Sequence, residues 1–401
     1  MEITFDYILP VITYVLLGVA LLGLLWIILF YVRRIRRVTR AVSADNEGVD
    51  PETDDETPLP EDAAQFKPAS IVIYTQDQSS WLEELLPDIL AQDYPAGFEV
   101  IVVNEGASDA TRDIVENLAI AHPNLYLTYT PDGARNLSRK KLALTIGIKA
   151  AKNPVVVNVT AGVRVPSRHW LYYIMRNFND PETEVVLGYA YPAPGDDSNG
   201  RRRRAFDYVA DAVTWLSPAI AHRPFRGIEY NLAYTRDIFF RSKGFSRSLN
   251  LVNGDDDIFI NQITSRDNTA VELSYPSMLM ANYRDHRAAQ EDLLRRHYFT
   301  SRRLPRTSAR LMSSGAWAIW LVLAAAIGAV STVPTNVIVA AAAFVIILAT
   351  LLCVTLTWRN VMTALCSRRM FWTIPRLAMF RPLRCLTLAW RSRRSRNYTW
   401  N

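Results

Sequence analysis

Three apolar runs decide most of what this chain can become: Tyr7 to Val32, Ala316 to Val333 and Val337 to Trp358, none of which contains a charged residue. At a rise of about 1.5 Å per residue each is long enough to cross a bilayer as a helix. The first run is followed by Arg33-Arg34-Ile35-Arg36-Arg37. A cleaved signal peptide carries its positive charge before the apolar stretch, so this is a retained anchor. Cytoplasmic flanks are the ones enriched in Lys and Arg, which places the N-terminus outside and the following chain in the cytoplasm. Only Pro334-Thr335-Asn336 separates the other two runs. They must form an antiparallel hairpin, and Arg359, Arg368 and Arg369 put its return inside. Met370 to Trp390 mixes aromatic and aliphatic residues with Arg376, Arg381 and Arg384, while Pro375 and Pro382 are expected to break any long helix. This reads as an interfacial segment ending in the basic tail Arg391 to Arg396.

Charge follows the same plan. The net charge is +6, yet the acids gather in Ser43 to Lys67, around Asp50-Pro51-Glu52-Thr53-Asp54-Asp55-Glu56, and the bases sit beside apolar segments. The acidic stretch reads as a flexible tether. The basic residues, Arg201-Arg202-Arg203-Arg204 among them, suggest lipid headgroups and no nucleic acid, because no aromatic interleaving or groove-reading helix accompanies them. The cysteines Cys353, Cys366 and Cys385 are odd in number and lack ligand spacing, which argues against a disulfide framework or a thiolate metal site.

Between the anchors the pattern alternates. Buried-strand runs at Ser70 to Tyr74, Phe98 to Val103, Leu125 to Thr130 and Pro154 to Val159 are separated by helical stretches at Trp81 to Ala91, Asp109 to Ala121 and Arg139 to Ala151. Repeated βαβ units imply a mainly parallel sheet covered by helices on both faces. Ligands of such sheets bind beyond the carboxyl ends of the strands. That rule selects Thr75, Gln76, Asp77 and Gln78 after the first strand, Asn104-Glu105-Gly106-Ala107-Ser108-Asp109 after the second, and Thr160-Ala161-Gly162 after the fourth.

Further on, Asn253-Gly254-Asp255-Asp256-Asp257 sets three carboxylates side by side where a loop turns into a helix. Like-charge repulsion makes such a cluster costly unless a helix N-terminus, a cation or a transferable proton stabilises it. Asp255 or Asp256 serves either as a helix cap or as an acid–base group.

Taken in order, Ser70-Ile-Val-Ile, Val102-Val-Asn-Glu-Gly-Ala-Ser-Asp109, Lys140-Lys-Leu-Ala-Leu-Thr-Ile-Gly-Ile148, Asn231-Leu-Ala-Tyr234 and Gly254-Asp-Asp-Asp257 resemble the family 2 glycosyltransferases, in particular their bacterial membrane-anchored subset. The resemblance implies a GT-A fold, an α/β domain whose mixed sheet is flanked by helices, here joined to three transmembrane helices. It also implies a nucleotide-diphospho-sugar donor at the strand ends and transfer of the sugar to an acceptor hydroxyl. By the same resemblance Asp256 matches the general base, with Asp255 beside it. Asp77, Asn104, Glu105, Lys141, Arg296 and His297 fall on the donor side, and Glu229 and Tyr230 on the acceptor side. A neighbouring Asp255 or Asp257 is expected to raise the pKa of Asp256.

One motif departs from the family. The paired aspartates that normally hold a divalent cation, Mg or Mn, at the end of the fourth strand are replaced by Thr160 and Gly162. Neither offers an anionic oxygen, so no residue is assigned as a metal ligand, and Glu105 or the later aspartates are the alternative holders of a cation. Arg135, Arg139, Lys140, Lys141 and Arg164 are the basic residues placed to neutralise a diphosphate instead.

The resulting expectation is an N-terminal transmembrane helix (1–32), a basic flank and acidic linker (33–67), a cytoplasmic GT-A domain (68–310), a transmembrane hairpin (311–358) and an interfacial C-terminal segment (359–401). Its partners are membrane lipid, a nucleotide-sugar, a glycan or lipid-linked acceptor and a possible partner glycosyltransferase, at the bacterial inner membrane. The alternative is a catalytically inactive scaffold of the same fold that accompanies an active transferase.

Overall fold

The structure, a computed structural model, describes residues 2–50, 53–76, 78–105, 109–131, 138–193, 198–281 and 286–394. The chain opens with α1 (Glu2–Trp26), passes through a π-helical turn (Ile27–Val32) and continues as α2 (Arg33–Asp45). Then β1 (Ala69–Thr75), α3 (Ser79–Leu90), β2 (Phe98–Asn104), α4 (Asp109–Ala119), β3 (Leu125–Tyr129), α5 (Arg139–Ala150) and β4 (Val155–Thr160) alternate as the apolar periodicity predicts. After β4 the alternation gives way to β5 (Val163–Arg164), α6 (Trp170–Met175), β6 (Val185–Leu187), β7 (Ala190–Pro192) and the long α7 (Asn199–Ile220). There follow β8 (Leu232–Thr235), α8 (Arg236–Arg241), α9 (Ile258–Ile263), β9 (Thr269–Val271), β10 (Leu279–Ala281) and α10 (His286–Thr300). Three further helices close the chain: α11 (Thr307–Thr332), α12 (Val337–Ala364) and α13 (Ile374–Arg394).

These elements form two compact units, one of residues 41–195, 218–305 and 391–401, the other of residues 1–40, 196–217 and 306–390. The first is built on a seven-stranded sheet in the order β3-β2-β1-β4-β8-β6-β9. β3, β2, β1 and β4 run parallel, whereas β8 is antiparallel to both β4 and β6, so the sheet is mixed. Ile71, Val72 and Ile73 on β1 and Val155, Val156 and Val157 on β4 are wholly buried. Strands covered on both faces need continuous apolar runs, which is why these segments lack polar alternation. Gly147 lets α5 lie close on the sheet, since a Cβ there would stand 2.5 Å from Val72 and 2.9 Å from Val103. The chain winds outward from β1 to β3 and then returns to β4 on the other side of β1. This reversal opens a crevice at the carboxyl ends of β1 and β4. The register brings Thr75 beside Asn104 and Tyr74 beside Thr160 at that edge.

The stretch from Ser43 to Lys67 is not a loose tether over its described residues. Asp45 accepts a hydrogen bond from Leu273 N (3.0 Å), and Asn46 accepts one from Tyr275 N (2.7 Å). Asp54 receives Tyr173 OH (2.7 Å) and faces His169 Nδ1 (3.2 Å), while Asp55 accepts from Ser167 Oγ (2.7 Å) and Arg168 N (2.9 Å). Phe66 stacks on Tyr172 with ring centroids 5.7 Å apart. Three of the acids that suggested disorder, Asp45, Asp54 and Asp55, fasten the segment, because each finds a fixed donor.

The stretches Leu9–Asp45, Thr307–Thr332 and Val337–Ala364 are helical, long and apolar enough to cross a membrane. α1 packs along α11, where Gly315 gives way to the Tyr31 ring and Gly23 to Val322. The indole N–H of Trp358 donates to Tyr31 OH at 3.0 Å. The C-terminal segment differs from expectation, because Ile374 to Arg394 is one helix. Pro375 stands in its first turn, where no backbone N–H is needed. Pro382 gives up one helical hydrogen bond, which is offset by the buried Ile374, Leu377 and Ala378 and by a bidentate pair between Arg384 and Asp207 (2.7 and 3.0 Å).

Candidate active site

The floor of the crevice is made by the ends of β1, β2 and β4. Asn104 is fully buried and Glu105 is 5% exposed. The Tyr74 hydroxyl donates to the Glu105 carboxylate, and Arg139 Nη1 stands 3.6 Å from it on the outer side. Burial and the hydrogen bond to Glu105 push the Tyr74 phenol well above its ordinary range. The phenol therefore stays protonated and continues to orient Glu105. Asp77 lies outside the described residues.

α5 brings two consecutive lysines to the crevice, and they do different work. Ser138 starts the helix by accepting from Lys141 N, and its hydroxyl donates to Val252 O at 2.8 Å, which ties the helix to the loop 248–253. The Lys141 ammonium donates to the carbonyls of Ser248 (2.5 Å), Leu251 (3.1 Å) and Asn253 (2.7 Å). All three of its donors are used, so Lys141 shapes the loop that precedes Asp255 rather than meeting a donor phosphate. Burial lowers this amine to about 8. Gly254, at φ +117°, makes the turn that follows, a backbone region open to glycine.

Lys140, one step along the helix, points into the cluster. Its Nζ bonds to Glu229 Oε2 and lies 2.6 Å from Asp255 Oδ2. Burial alone would lower this amine, but Asp255 and Glu229 outweigh burial and hold it above its ordinary range. Arg296 Nη1 approaches the same Glu229 oxygen at 3.4 Å. Burial would raise the Glu229 carboxyl, yet Arg296 and Lys140 hold it below the usual carboxylate range. Glu229 thus sits among cations. Tyr230, also assigned to the acceptor side, is 5% exposed and buried in the domain.

The three aspartates divide their roles. Asp256 is 6% exposed, and its Oδ2 lies 3.3 Å from Nε2 of His297 on α10. Burial works to raise this carboxyl, but the hydrogen bond and charge of His297, with Lys140 and Arg296, hold it well below the usual range. The expected upward shift therefore falls on Asp257. Burial and the charge of Asp256 raise Asp257 to about 6. Asp257, not Asp255 or Asp256, is also the cap of α9: its carboxylate accepts from Ile258 N and from the Thr300 hydroxyl. The backbone carbonyl of Asp256 accepts from Gly227 N at 2.9 Å, which fixes the loop carrying Glu229.

Asn231, part of the fourth motif, is a structural knot. It is fully buried, donates to Tyr189 O (3.0 Å) and Ser277 O (2.8 Å), and accepts from Trp170 Nε1 (3.2 Å).

The residues at the divalent-cation position do not suit a metal. Thr160 spends its hydroxyl on Glu229 O (3.2 Å), Gly162 has no side chain, and the nearby carboxylates of Glu229, Asp255 and Asp256 already face Lys140, Arg296 and His297. A hard cation needs several oxygens not already held by other cations. Among the other basic candidates, Arg164 is bound bidentately by Asp88 (2.6 and 3.1 Å), and Arg135 lies outside the described residues. Among the described residues Asp54, Asp55 and His169 have ligand atoms within 4.8 Å of one another, although these carboxylates already bind Tyr173, Ser167 and Arg168.

Lys140 is the residue that sequence reasoning did not single out from its neighbours. Both lysines have the same chemistry, and only the 100° step between them on the helix separates the one that props the loop from the one that faces the acids.

Residues 70–247 match the model of the family described as Glycosyl transferase family 2, a match that ends before Asp255. No curated protein matches the sequence. Among solved structures, the mannosyltransferase PcManGT from Pyrobaculum calidifontis in complex with GDP-Man and Mn2+ is 20% identical, with 94% of this chain and 99% of that chain covered and a TM-score of 0.51. TarS 1-349 from S. aureus is 14% identical over 83% and 96% of the two chains, TM-score 0.41. The mannosyl-3-phosphoglycerate synthase from Rubrobacter xylanophilus is 14% identical over 61% and 79%, TM-score 0.41. At these identities the likeness speaks for the fold, a GT-A-like mixed sheet with flanking helices.

Proposed function

We propose, taking residues 70–247 as a family 2 glycosyltransferase domain on a GT-A-like sheet, that the protein moves a sugar from a nucleotide-diphospho-sugar to the hydroxyl of a lipid-linked or growing glycan acceptor at a cytoplasmic membrane face. The observation that carries this reading is the Asp256 carboxylate, kept ionised beside His297 and set among Lys140 and Arg296. In a single inverting displacement the acceptor oxygen bonds to the anomeric carbon as the bond from that carbon to the diphosphate breaks. The acceptor proton passes to Asp256, and the electron pair leaves on the diphosphate. Positive side chains aimed at that group stabilise its growing charge. Glu105, braced by Tyr74, is suited to the nucleoside, and Arg296 to the phosphates as a bidentate donor. Three helices of membrane-spanning length in the same chain support an acceptor held at a lipid surface.

A non-catalytic scaffold is the second reading, and what favours it is the absence of a carboxylate at Thr160 and Gly162. The two are separated by incubating the detergent-purified protein with a panel of nucleotide-sugars and membrane lipid extract, and following sugar transfer and nucleotide release. Transfer lost by about a hundredfold or more in Asp256→Asn, with nucleotide binding kept, supports the transferase. Nucleotide binding with no turnover of any donor supports the scaffold.

A further inference from the structure

We infer that the domain binds the diphosphate of its donor through a built-in cation, the Lys140 ammonium, and needs no divalent metal. This rests on the reading of the domain as a nucleotide-sugar transferase. The argument is one of occupancy. Lys140 Nζ already lies between Glu229 and Asp255, 2.6 Å from the latter, where anionic oxygens of the crevice converge. Thr160 and Gly162 add no anionic oxygen, and Arg296 approaches the Glu229 oxygen that Lys140 holds, at 3.4 Å. A divalent ion would have to expel the ammonium to gain ligands.

The ammonium is also prepared for an anion. Two of its three donors are used by Glu229 and Asp255, which leaves one for a phosphate oxygen. The side chain keeps 14% of its surface exposed. It is fixed from behind, since Ser138 caps the helix and Lys141 pins the following loop, so little rearrangement is needed when the phosphate arrives. The cluster carries its own prediction for Lys140→Ala. Without the ammonium, Glu229 and Asp255 face a common space with no cation between them, which a divalent ion can enter.

The test is calorimetric binding of UDP and of GDP to the detergent-purified full chain, in EDTA and in Mn2+. The expected result is binding of at least one nucleotide to the unaltered protein with an affinity equal within about twofold in the two media. For Lys140→Ala the expectation is a loss of about tenfold or more in EDTA and a partial return in Mn2+, while Lys140→Arg keeps EDTA-resistant binding. Binding by the unaltered protein that is about tenfold weaker in EDTA overturns the inference and leaves the transferase reading standing. EDTA-resistant binding without turnover of any donor overturns the transferase reading and leaves the inference. If Lys140→Ala does not fold, the unaltered protein in the two media decides alone.

Discussion

Nε2 of His297 lies 3.3 Å from Oδ2 of Asp256, and the pair is buried from solvent on both sides, at 5% and 6% exposure. This contact sets the electrostatics of Asp256 and, through it, of Asp257. It gives Asp256 a partner that favours the ionised carboxylate, and the ionised Asp256 then burdens its neighbour Asp257.

His297→Gln tests that ordering. With the leading stabiliser of the Asp256 anion removed, burial prevails and the carboxyl pKa rises. The base then loses its ionised form at less acid pH, so the acid limb of the kcat/KM profile moves to higher pH. A profile unchanged apart from its height removes the His297–Asp256 link.

Asp257 makes folding pH-dependent in the opposite sense to an ordinary paired carboxylate. Its folded pKa of about 6 lies above the ordinary carboxyl value of 3.8. Between these values the folded state holds a proton that the unfolded state has lost. Its contribution to stability is therefore complete below pH 3.8 and is lost as pH rises through about 6. Asp257→Asn should flatten this part of a melting-temperature curve recorded in detergent between pH 4 and 7. A slope as steep as that of the unaltered protein would show that Asp257 titrates normally.

Asn231→Ala should destabilise the domain by about 3 kcal/mol, because it strands the buried indole N–H of Trp170 and two carbonyls without partners. Gly188→Ala should act through the same knot, since its Cβ would meet the Asn231 side chain at 2.5 Å. Both are read by chemical denaturation, and a loss under about 1 kcal/mol for Asn231→Ala contradicts the assignment.

The acidic strap offers a prediction that needs no activity. Limited proteolysis of the unaltered protein should spare residues 53–66, and Asp54→Ala together with Asp55→Ala should expose them, because these two carboxylates hold Tyr173, Ser167 and Arg168. Rapid cutting within 53–66 of the unaltered protein would restore the tether.

What could be seen in the sequence was whatever periodicity encodes. Ile71 to Ile73 and Val155 to Val157 are apolar because both faces of the sheet are covered, and that signal is local. The strap escaped because Asp54 and Asp55 look solvated until His169, Tyr173 and Ser167 arrive from more than a hundred positions away. α13 escaped for a similar reason, since Pro382 argues locally against a helix that Asp207 holds from α7. Strands such as β6, β9 and β10, three residues each, are too short to leave a period. In the site, composition marked the acids but not which of Asp255, Asp256 and Asp257 would cap the helix, a choice made by Thr300 and His297 on α10.

The notch at Gly315 that receives Tyr31 bears on how the protein is made. The ribosome makes Tyr31 early and α11 only after the strands β1 to β10, so the first hydrophobic segment waits with its aromatic ring unmatched. A side chain at position 315 would meet that ring at 2.4 Å, so the match is closed to any residue but glycine unless the ring shifts.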